Sequence, residues 1–368
     1  MADRVNLFAP RVSHYLQTAA VCYPRAARLA YNRRGNERMK LAAIDIGSNS
    51  IKLVVVNAPS GDSFSVLARD KETVRLGHET LREGFLSPEA FERAARCVKR
   101  FRAVAEAHGA ERVLAVATAS VRAASNAAEF VEELARETGV GVKVISGDEE
   151  ARLTGLAAAR GCSDPPASLL NVDIGGGSTE ISLMRGGAPV ALVSVRLGAV
   201  GLTERFIADD PPKVRELRAL RAVARATLKR PARELRDASW SRATGTSGTI
   251  IAIGEALRAR DSKQKPGGTR TGGDGIVLSR LERFNKRMAG MTQAERRAVR
   301  GVSAQRSEII VAGGQILEAV MRSLSINYLR TCDWALREGV VLDFLRATEA
   351  VPGPRPDADP RLVLHESG

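Results

Sequence analysis

The sequence predicts an α/β protein made of two similar domains. With 368 residues, the chain exceeds the roughly 250–300 residues beyond which a single hydrophobic core stops growing. Short apolar runs bounded by turn residues alternate with segments of helical periodicity. A strand–loop–strand unit with the pattern Asp-x-Gly occurs at Asp45 and again 128 residues later at Asp173, which indicates a duplicated fold.

In the first half, three apolar runs separated by turn residues predict a three-stranded meander, followed by helix–strand alternation. Ser87 and Pro88 form the N-cap and N1 pair typical of a helix start, and apolar residues then recur at helical spacing up to Gly109. The predicted strands are residues 41–46, 51–56, 64–69, 113–117 and 141–145.

The second half repeats this pattern. The run Asp173-Ile-Gly-Gly-Gly-Ser-Thr-Glu180 corresponds to Asp45-Ile-Gly-Ser-Asn-Ser-Ile-Lys52, and each loop interrupts two apolar runs. The predicted strands are residues 168–174, 180–184 and 190–196. Two copies of one unit predict one copy in each domain.

Each repeated loop places a carboxylate after a buried strand and follows it with glycine and a hydroxyl. Glycines let successive backbone amides converge on one point, and such nests bind phosphate oxygens. A carboxylate beside phosphates is repelled unless a cation lies between them. We therefore expect Asp45 and Asp173 to bind Mg²⁺ or Mn²⁺, through water. The alternative is an ordinary β-turn with a capping Asp, which the second copy of the loop makes less favourable.

Two further segments carry candidate chemistry, and each has a structural alternative. Residues 244–249, Thr-Gly-Thr-Ser-Gly-Thr, form a Gly-rich turn before an apolar helical run over 250–257, where amides and the helix dipole favour an anion. Residues 146–152, Ser-Gly-Asp-Glu-Glu-Ala-Arg, place three consecutive acids at a helix start between the two repeated units. These acids either complement the helix dipole or supply a general base.

These motifs, in this order, resemble those of the Ppx/GppA family of exopolyphosphatases and guanosine pentaphosphate phosphohydrolases. The resemblance covers residues 40–348 and includes Leu-Arg-Glu-Gly at 336–339. It implies two ribonuclease-H-like domains of the actin, Hsp70 and sugar-kinase superfamily, with a phosphate-binding cleft between them and magnesium dependence. The chain resembles the short, two-domain members, because it contains no His-Asp pair of the kind found in an HD-like extension.

The resemblance also assigns roles to individual residues. Glu150 corresponds to the proposed catalytic base, and Glu180 to the second acidic residue, which orients the attacking water or the metal. Asp45, Asp173 and Glu180 are the expected metal ligands. The expected phosphate-binding residues are Gly47, Ser48, Asn49, Ser50, Arg122, Gly175, Gly176, Gly177, Ser178, Thr179, Gly245, Ser247, Gly248, Thr249 and Arg306.

The resemblance therefore predicts a magnesium-dependent phosphoanhydride hydrolase that releases terminal phosphate from inorganic polyphosphate. Two alternatives stay open. One is hydrolysis of guanosine pentaphosphate, and the other is a non-catalytic sensor that binds polyphosphate or an alarmone. The pair of Glu150 and Glu180 favours an enzyme over a sensor. A kinase of the same superfamily is a more distant alternative.

Composition restricts the partners. The net charge of +14 favours polyanions, here polyphosphate or guanosine penta- and tetraphosphate. An aromatic content of 4% argues against specific nucleic-acid binding through base stacking. Four scattered cysteines and the lack of an 18-residue apolar run predict a cytoplasmic protein without a membrane-spanning helix. A homodimer is compatible with the sequence.

A helix with a basic face is predicted in the second half. Arg218, Arg221, Arg225 and Lys229 recur at spacings of three and four. Such a face is either simply solvated or a contact for a long polyanion.

The expected domain organisation follows from these elements. We expect a basic N-terminal extension over residues 1–39, domain I over 40–145, domain II over 146–334 and a Pro-rich tail over 351–368. A helix over 335–350 is expected to complete domain I. The extension is expected either to be disordered or to precede a translation start at Met39.

Overall fold

A computed structural model describes residues 39–60, 63–162, 164–264 and 275–349 of the chain. The basic extension up to residue 38 and the Pro-rich tail over 351–368 lie outside these residues. The first strand begins at Met39, one residue before the expected start of domain I. Within the described ranges, no helix is long and apolar enough to cross a bilayer.

Five strands form the first sheet, in the spatial order β3-β2-β1-β4-β5. They are β1 (Met39–Ile46), β2 (Ile51–Ser60), β3 (Ser63–Glu72), β4 (Arg112–Ala117) and β5 (Val142–Val144). β1 pairs antiparallel with β2 and parallel with β4, so it is the central strand. Residues 41–46 are buried on both faces of the sheet, which explains their unbroken apolar run.

Six strands form the second sheet, in the order β10-β11-β9-β6-β7-β8. They are β6 (Ser168–Ile174), β7 (Thr179–Arg185), β8 (Ala188–Val195), β9 (Arg242–Thr246), β10 (Gly275–Val277) and β11 (Tyr328–Thr331). β6 to β8 form an antiparallel meander, and β9 and β11 continue the sheet in parallel, as β4 and β5 do in the first sheet. β10 is an additional edge strand. The repetition confirms the predicted duplicated ribonuclease-H-like fold.

Helices connect and cover the two sheets. In the first half they are α1 (Gly77–Glu83), α2 (Pro88–Ala107), α3 (Ala119–Ala123), α4 (Ala127–Thr138) and α5 (Gly147–Gly161). In the second half they are α6 (Ala199–Phe206), α7 (Val214–Glu234), α8 (Ser247–Gln264), α9 (Leu278–Ala289), α10 (Gln293–Arg297), α11 (Ala304–Ser307), α12 (Ile310–Ser323) and α13 (Leu336–Glu349).

Two helices lie between the sheets and join the two halves. α13 packs on β1 and β2 of the first sheet, and α5 packs on β6, β7 and β8 of the second. The two helices also pack against each other, with Leu153 of α5 in one apolar cluster with Leu336 and Val340 of α13. The outer faces are covered by α2 and α4 on the first sheet and by α7, α8 and α12 on the second. The α5–α13 contact therefore determines how the two sheets face each other.

Gly339 allows the close approach of α13 to α5. A Cβ built at this position would overlap the backbone carbonyl of Leu153, which cannot rotate away. We expect Gly339→Ala to lower the free energy of unfolding by about 1–3 kcal/mol, the usual cost of overpacking. Thermal unfolding followed by circular dichroism measures this change.

Gly290→Ala is the matched control for that substitution. A Cβ at Gly290 would lie 3.7 Å from its nearest neighbour, the Arg287 carbonyl oxygen, which is an ordinary contact. Equal melting temperatures for the two variants would contradict the assignment of Gly339 as the point of contact.

Candidate active site

The two repeated loops adopt the same turn. In the first loop, the Gly47 amide donates to the Ser50 carbonyl at 3.2 Å, and in the second the Gly175 amide donates to the Ser178 carbonyl at 2.9 Å. Each loop follows the first strand of its meander, β1 or β6, and each strand ends with an aspartate followed by isoleucine. The sequence repeat is therefore also a repeat of backbone geometry.

The two loops contact each other across the interface between the sheets. A Cβ built on Gly176 would lie 2.8 Å from Ser48 Cβ, and one built on Gly177 would lie 2.9 Å from Ala119 Cβ. A larger residue at either position would separate the loops. Glycine is needed at these two positions for the close approach of the domains.

A cavity of about 60 Å³ lies between the loops, and polar groups from both halves of the chain line it. Fourteen of the predicted site residues belong to its lining, although they come from distant segments of the sequence. They are Asp45, Gly47, Ser48, Asn49, Ser50, Glu150, Asp173, Gly175, Gly176, Gly177, Ser178, Ser247, Gly248 and Arg306.

Glu150 lies at the cavity wall, in the first turn of α5. Ser146 caps this helix and accepts a hydrogen bond from the Glu149 amide at 3.1 Å. Arg122 Nη1 donates to Glu150 Oε2 at 3.1 Å and to the Ile145 carbonyl at 2.8 Å. Burial raises the pKa of Glu150 to about 7, against the opposing effect of Arg122. The carboxyl therefore exchanges its proton near neutral pH, where a general base is most effective.

Asp173 and Glu180 face each other across β6 and β7, and both are buried. Thr246 Oγ1 donates to Asp173 Oδ2, and Ser194 Oγ donates to Glu180 Oε1 at 2.7 Å. Burial raises the pKa of both carboxyls, and the neighbouring Glu150 carboxylate raises the pKa of Glu180 further. Glu180 Oε2 has no hydrogen-bond partner in the part of the chain that the structure describes.

Two cations oppose these carboxylates. Lys52 pairs with Asp45 across β1 and β2, and its Nζ lies 3.2 Å from Asp45 Oδ2. Arg306 is 8% exposed, and its Nη1 donates to Thr249 Oγ1 at 3.1 Å. Burial lowers the pKa of Arg306 to about 10, although the Asp173 carboxylate acts in the opposite direction. Arg306 therefore stays charged at neutral pH and presents its guanidinium to the cavity.

Ser247 has a strained backbone at the start of α8. Its φ of 77° lies in the left-handed region, which non-glycine residues rarely adopt. Its hydroxyl donates to the Ile174 carbonyl at 2.7 Å, next to the second repeated loop. Strain of this kind is retained where the surrounding structure requires one orientation, and such positions concentrate at functional sites.

Five predicted site residues do not line the cavity: Arg122, Thr179, Glu180, Gly245 and Thr249. Arg122 binds Glu150 instead, and Thr179 Oγ1 donates to the Leu197 carbonyl. Gly245 belongs to β9 rather than to a turn, because it pairs with Val172 of β6 and Thr331 of β11. The Leu329 and Ile250 side chains fill the space beside its Cα. Thr249 is a hydrogen-bond acceptor for Arg306. These residues support the lining rather than form it.

Three side chains that contact the predicted acids are not among the residues expected from the sequence: Lys52, Thr246 and Ser194. Lys52 had a recognisable signal, because it occupies the same position in the first repeat as Glu180 in the second. Thr246 and Ser194 reach Asp173 and Glu180 only through strand pairing in the second sheet. Their spacing in the sequence carries no signal of that contact.

The carboxylates suit a hard divalent cation, but they do not form a preformed cage. In the described segments, no three His, Cys, Asp or Glu side chains come together as a group that could hold an ion. Magnesium usually retains several waters and uses one or two carboxylates together with substrate phosphates. Asp45 and Asp173 line the cavity from the two sheets and meet that requirement. Glu180 Oε2, which has no partner among the described residues, is a further carboxylate oxygen, although Glu180 does not itself line the cavity.

Known proteins share this architecture. The Ppx/GppA phosphatase family matches residues 54–348. Exopolyphosphatase 1 of Mycobacterium tuberculosis is 34% identical over 305 residues, which cover 83% of this chain and 88% of that protein. The crystal structure of an exopolyphosphatase from Cytophaga hutchinsonii has a TM-score of 0.76 at 25% identity, covering 84% of this chain and 98% of that one. The Ppx/GppA family member from Aquifex aeolicus has a TM-score of 0.69 at 28% identity, covering 86% and 100%.

The raised pKa of Glu150 predicts a pH dependence of stability. Folding raises this pKa from 4.5 to about 7, so the contribution of the carboxyl to stability is present below pH 4.5 and is lost as the pH rises to about 7. In chelator-treated protein, we expect Glu150→Gln to become progressively more stable than the wild type across that range. Melting temperatures measured between pH 4.5 and 8 test this.

Asp148→Asn is the control, because Asp148 is exposed in the same helical turn. The difference in melting temperature between Asp148→Asn and the wild type should not change as the pH rises from 4.5 to about 7. A pH-independent difference between Glu150→Gln and the wild type would contradict the burial argument.

Proposed function

Because the chain belongs to the Ppx/GppA phosphatase family, we propose that it hydrolyses the terminal phosphoanhydride bond of inorganic polyphosphate. The observation that carries this proposal is the position of Glu150. A carboxyl with a pKa of about 7 lies at the wall of a cavity that two Gly-rich phosphate-type loops enclose.

The size of the cavity indicates which part of the substrate enters it. A volume of about 60 Å³ is far below the roughly 300–1,000 Å³ of pockets that enclose whole small molecules. We infer that one terminal phosphate group occupies the cavity and that the rest of the chain stays outside. Backbone amides of the two loops would bind the oxygens of this group.

Glu150 accepts the proton of the attacking water. Arg122 engages Oε2, so Oε1 remains to take the proton while the water oxygen bonds to phosphorus. The anhydride P–O bond breaks at the same phosphorus, which releases orthophosphate and a chain shortened by one phosphate. Arg122 is then a positioning residue that holds the base. Glu180, which accepts a hydrogen bond from Ser194, helps to orient the attacking water or the metal.

Charge on the transferred group is balanced by cations around the cavity. Asp45 and Asp173, with Glu180 Oε2 as a further oxygen, would hold magnesium, and the bound ion supplies positive charge to the phosphate oxygens. Lys52 and Arg306 also line the cavity and lie where they can offset the same charge. Phosphoryl transfer requires this positioning and neutralisation more than covalent catalysis.

A basic wall beside the cavity favours a substrate with many phosphates. Lys71 lies opposite Lys52 in the pairing of β2 and β3. The charges of Arg337 and Arg306 are also close enough to repel the Lys71 ammonium. Although Lys71 reaches solvent, the surrounding protein desolvates its ammonium. This burial, together with those three cations, lowers the pKa of Lys71 to about 8. Such a cluster of like charges is relieved when an anion binds.

The first test is the exchange of Glu150 for glutamine. Glu150→Gln keeps the size of the side chain and removes its basicity, so we expect turnover of polyphosphate to fall by about 10²–10⁴-fold. Affinity for polyphosphate should hold or rise, because one negative charge leaves an anion site. Phosphate release under steady-state conditions measures the change.

Asp148→Asn serves as the matched control for that assay, since it removes an exposed acid from the same run and should leave turnover unchanged. A Glu150→Gln enzyme with near-normal turnover would remove Glu150 from the role of base, and Glu180 would become the next candidate.

The second test separates the substrates and the metal. We expect wild-type protein with Mg²⁺ to release phosphate from long polyphosphate faster than from guanosine pentaphosphate, since the basic wall offers contacts beyond the terminal phosphate. Excess chelator should abolish the activity, and added Mg²⁺ should restore it. A preference for guanosine pentaphosphate would identify the nucleotide as the substrate, and full activity in chelator would exclude the metal.

A further inference from the structure

A groove of about 530 Å³, lined mainly by charged and amide side chains, lies in the second half of the chain between α7, α9 and α12. None of its lining residues belongs to the catalytic cavity. Its volume falls in the range of pockets that take small-molecule ligands, whereas the catalytic cavity is far smaller. The groove uses two members of the basic helix face noted in the sequence.

Three cations in the groove have no carboxylate partner within the described ranges. Arg221 and Arg225 are one turn apart on α7, and Lys286 faces the same groove from α9. The Arg225 Nε group donates to the Arg221 carbonyl at 3.3 Å, which leaves its terminal nitrogens available. Arginine binds phosphate oxygens in a bidentate manner, and lysine adds a point charge.

The two carboxylates of the groove are already engaged. Arg322 Nη2 lies 2.7 Å from Glu282 Oε1, and Arg322 Nε lies 3.2 Å from Glu318 Oε1. Asn285 Nδ2 donates to the other oxygen of Glu318 at 2.9 Å. These two acids carry two negative charges against one positive charge on Arg322, so they neutralise Arg322 and offset one further charge. With four cations and two acids in its lining, the groove keeps a net charge of +2.

Gln315 gives the groove a buried polar floor. It is 2% exposed, and its Oε1 accepts a hydrogen bond from Arg221 Nε at 2.5 Å. Its Nε2 has no partner among the described residues, which is rare for a buried donor. The Gln315 amide thus holds the Arg221 side chain through Oε1, and its Nε2 is a donor that a ligand in the groove can use.

We propose that this groove is a second anion site, which binds a run of inorganic phosphate groups independently of the catalytic cavity. The net positive charge of the groove, with two arginines and a lysine that have no carboxylate partner among the described residues, selects an anion with several charged oxygens. No aromatic side chain lines the groove, so it offers no surface on which a nucleobase could stack. The ligand class is therefore an inorganic phosphate chain rather than a nucleotide.

Sodium tripolyphosphate tests the site in the full-length protein, with chelator present so that no hydrolysis occurs. We expect Arg221→Gln/Arg225→Gln to weaken calorimetric binding at this site by about ten- to a hundredfold, as expected for lost charge-assisted hydrogen bonds. Tripolyphosphate should also slow hydrogen exchange in α7 and α9 of the wild type and not of this variant.

Arg215→Gln/Arg230→Gln is the matched control. It removes two positive charges from the same helix, and neither residue lines the groove. Its affinity should equal that of the wild type, and melting curves should show that both double variants fold. Equal loss of affinity in the two double variants, or no loss in either, would overturn the proposal.

Two further arms identify the ligand. Sodium sulfate at equal ionic strength should not slow hydrogen exchange in α7 and α9. If it does, the groove is only a basic surface that attracts any anion. GTP should bind no more tightly than tripolyphosphate, and tighter binding of GTP would contradict an inorganic ligand. Phosphate release measured in parallel with Mg²⁺ keeps the two proposals apart, because loss of catalysis leaves the binding result unchanged.

Discussion

The burial of four carboxylates in and behind the wall of one small cavity is the constraint on which the rest of the site depends. Asp45, Glu150, Asp173 and Glu180 are each at most 8% exposed, and they repel one another. Desolvation raises the pKa of three of them, so the folded chain tolerates this cluster only by binding protons or supplying cations and hydrogen-bond donors. Under the proposed function, such a cleft would bind a divalent cation and, through it, an anionic substrate.

The duplicated unit provides this cluster because its two copies have diverged at one position. The residue opposite the loop aspartate is Lys52 in the first copy and Glu180 in the second. One copy therefore balances its aspartate with an ammonium, whereas the other adds a second acid. Two identical copies would have given either a cleft with two lysines or one with two further acids, and neither combines cation binding with charge balance.

Under the proposed function, the closed contact between the loops limits what the cavity recognises to the terminal group of a phosphate chain. Only a space of about 60 Å³ is enclosed, so recognition inside the cleft is limited to the end of the chain. Selection among substrates must then come from surfaces outside it, such as the wall around Lys71. The α5–α13 contact at Gly339 maintains this arrangement, because it sets the separation of the two sheets.

The duplicated fold, both phosphate-type loops and the identity of the four acids can be predicted from the amino-acid sequence. Strand patterns, Gly-rich turns and helix caps are set by neighbouring residues, so they are visible in the chain. Other features become visible only in the folded chain: Arg122 binds Glu150, Gly245 lies in a strand, and Thr246 and Ser194 donate hydrogen bonds to the buried acids. Those contacts arise from strand pairing and from the packing of two sheets across distant segments. No local pattern encodes them, because register and domain separation are fixed by the whole core.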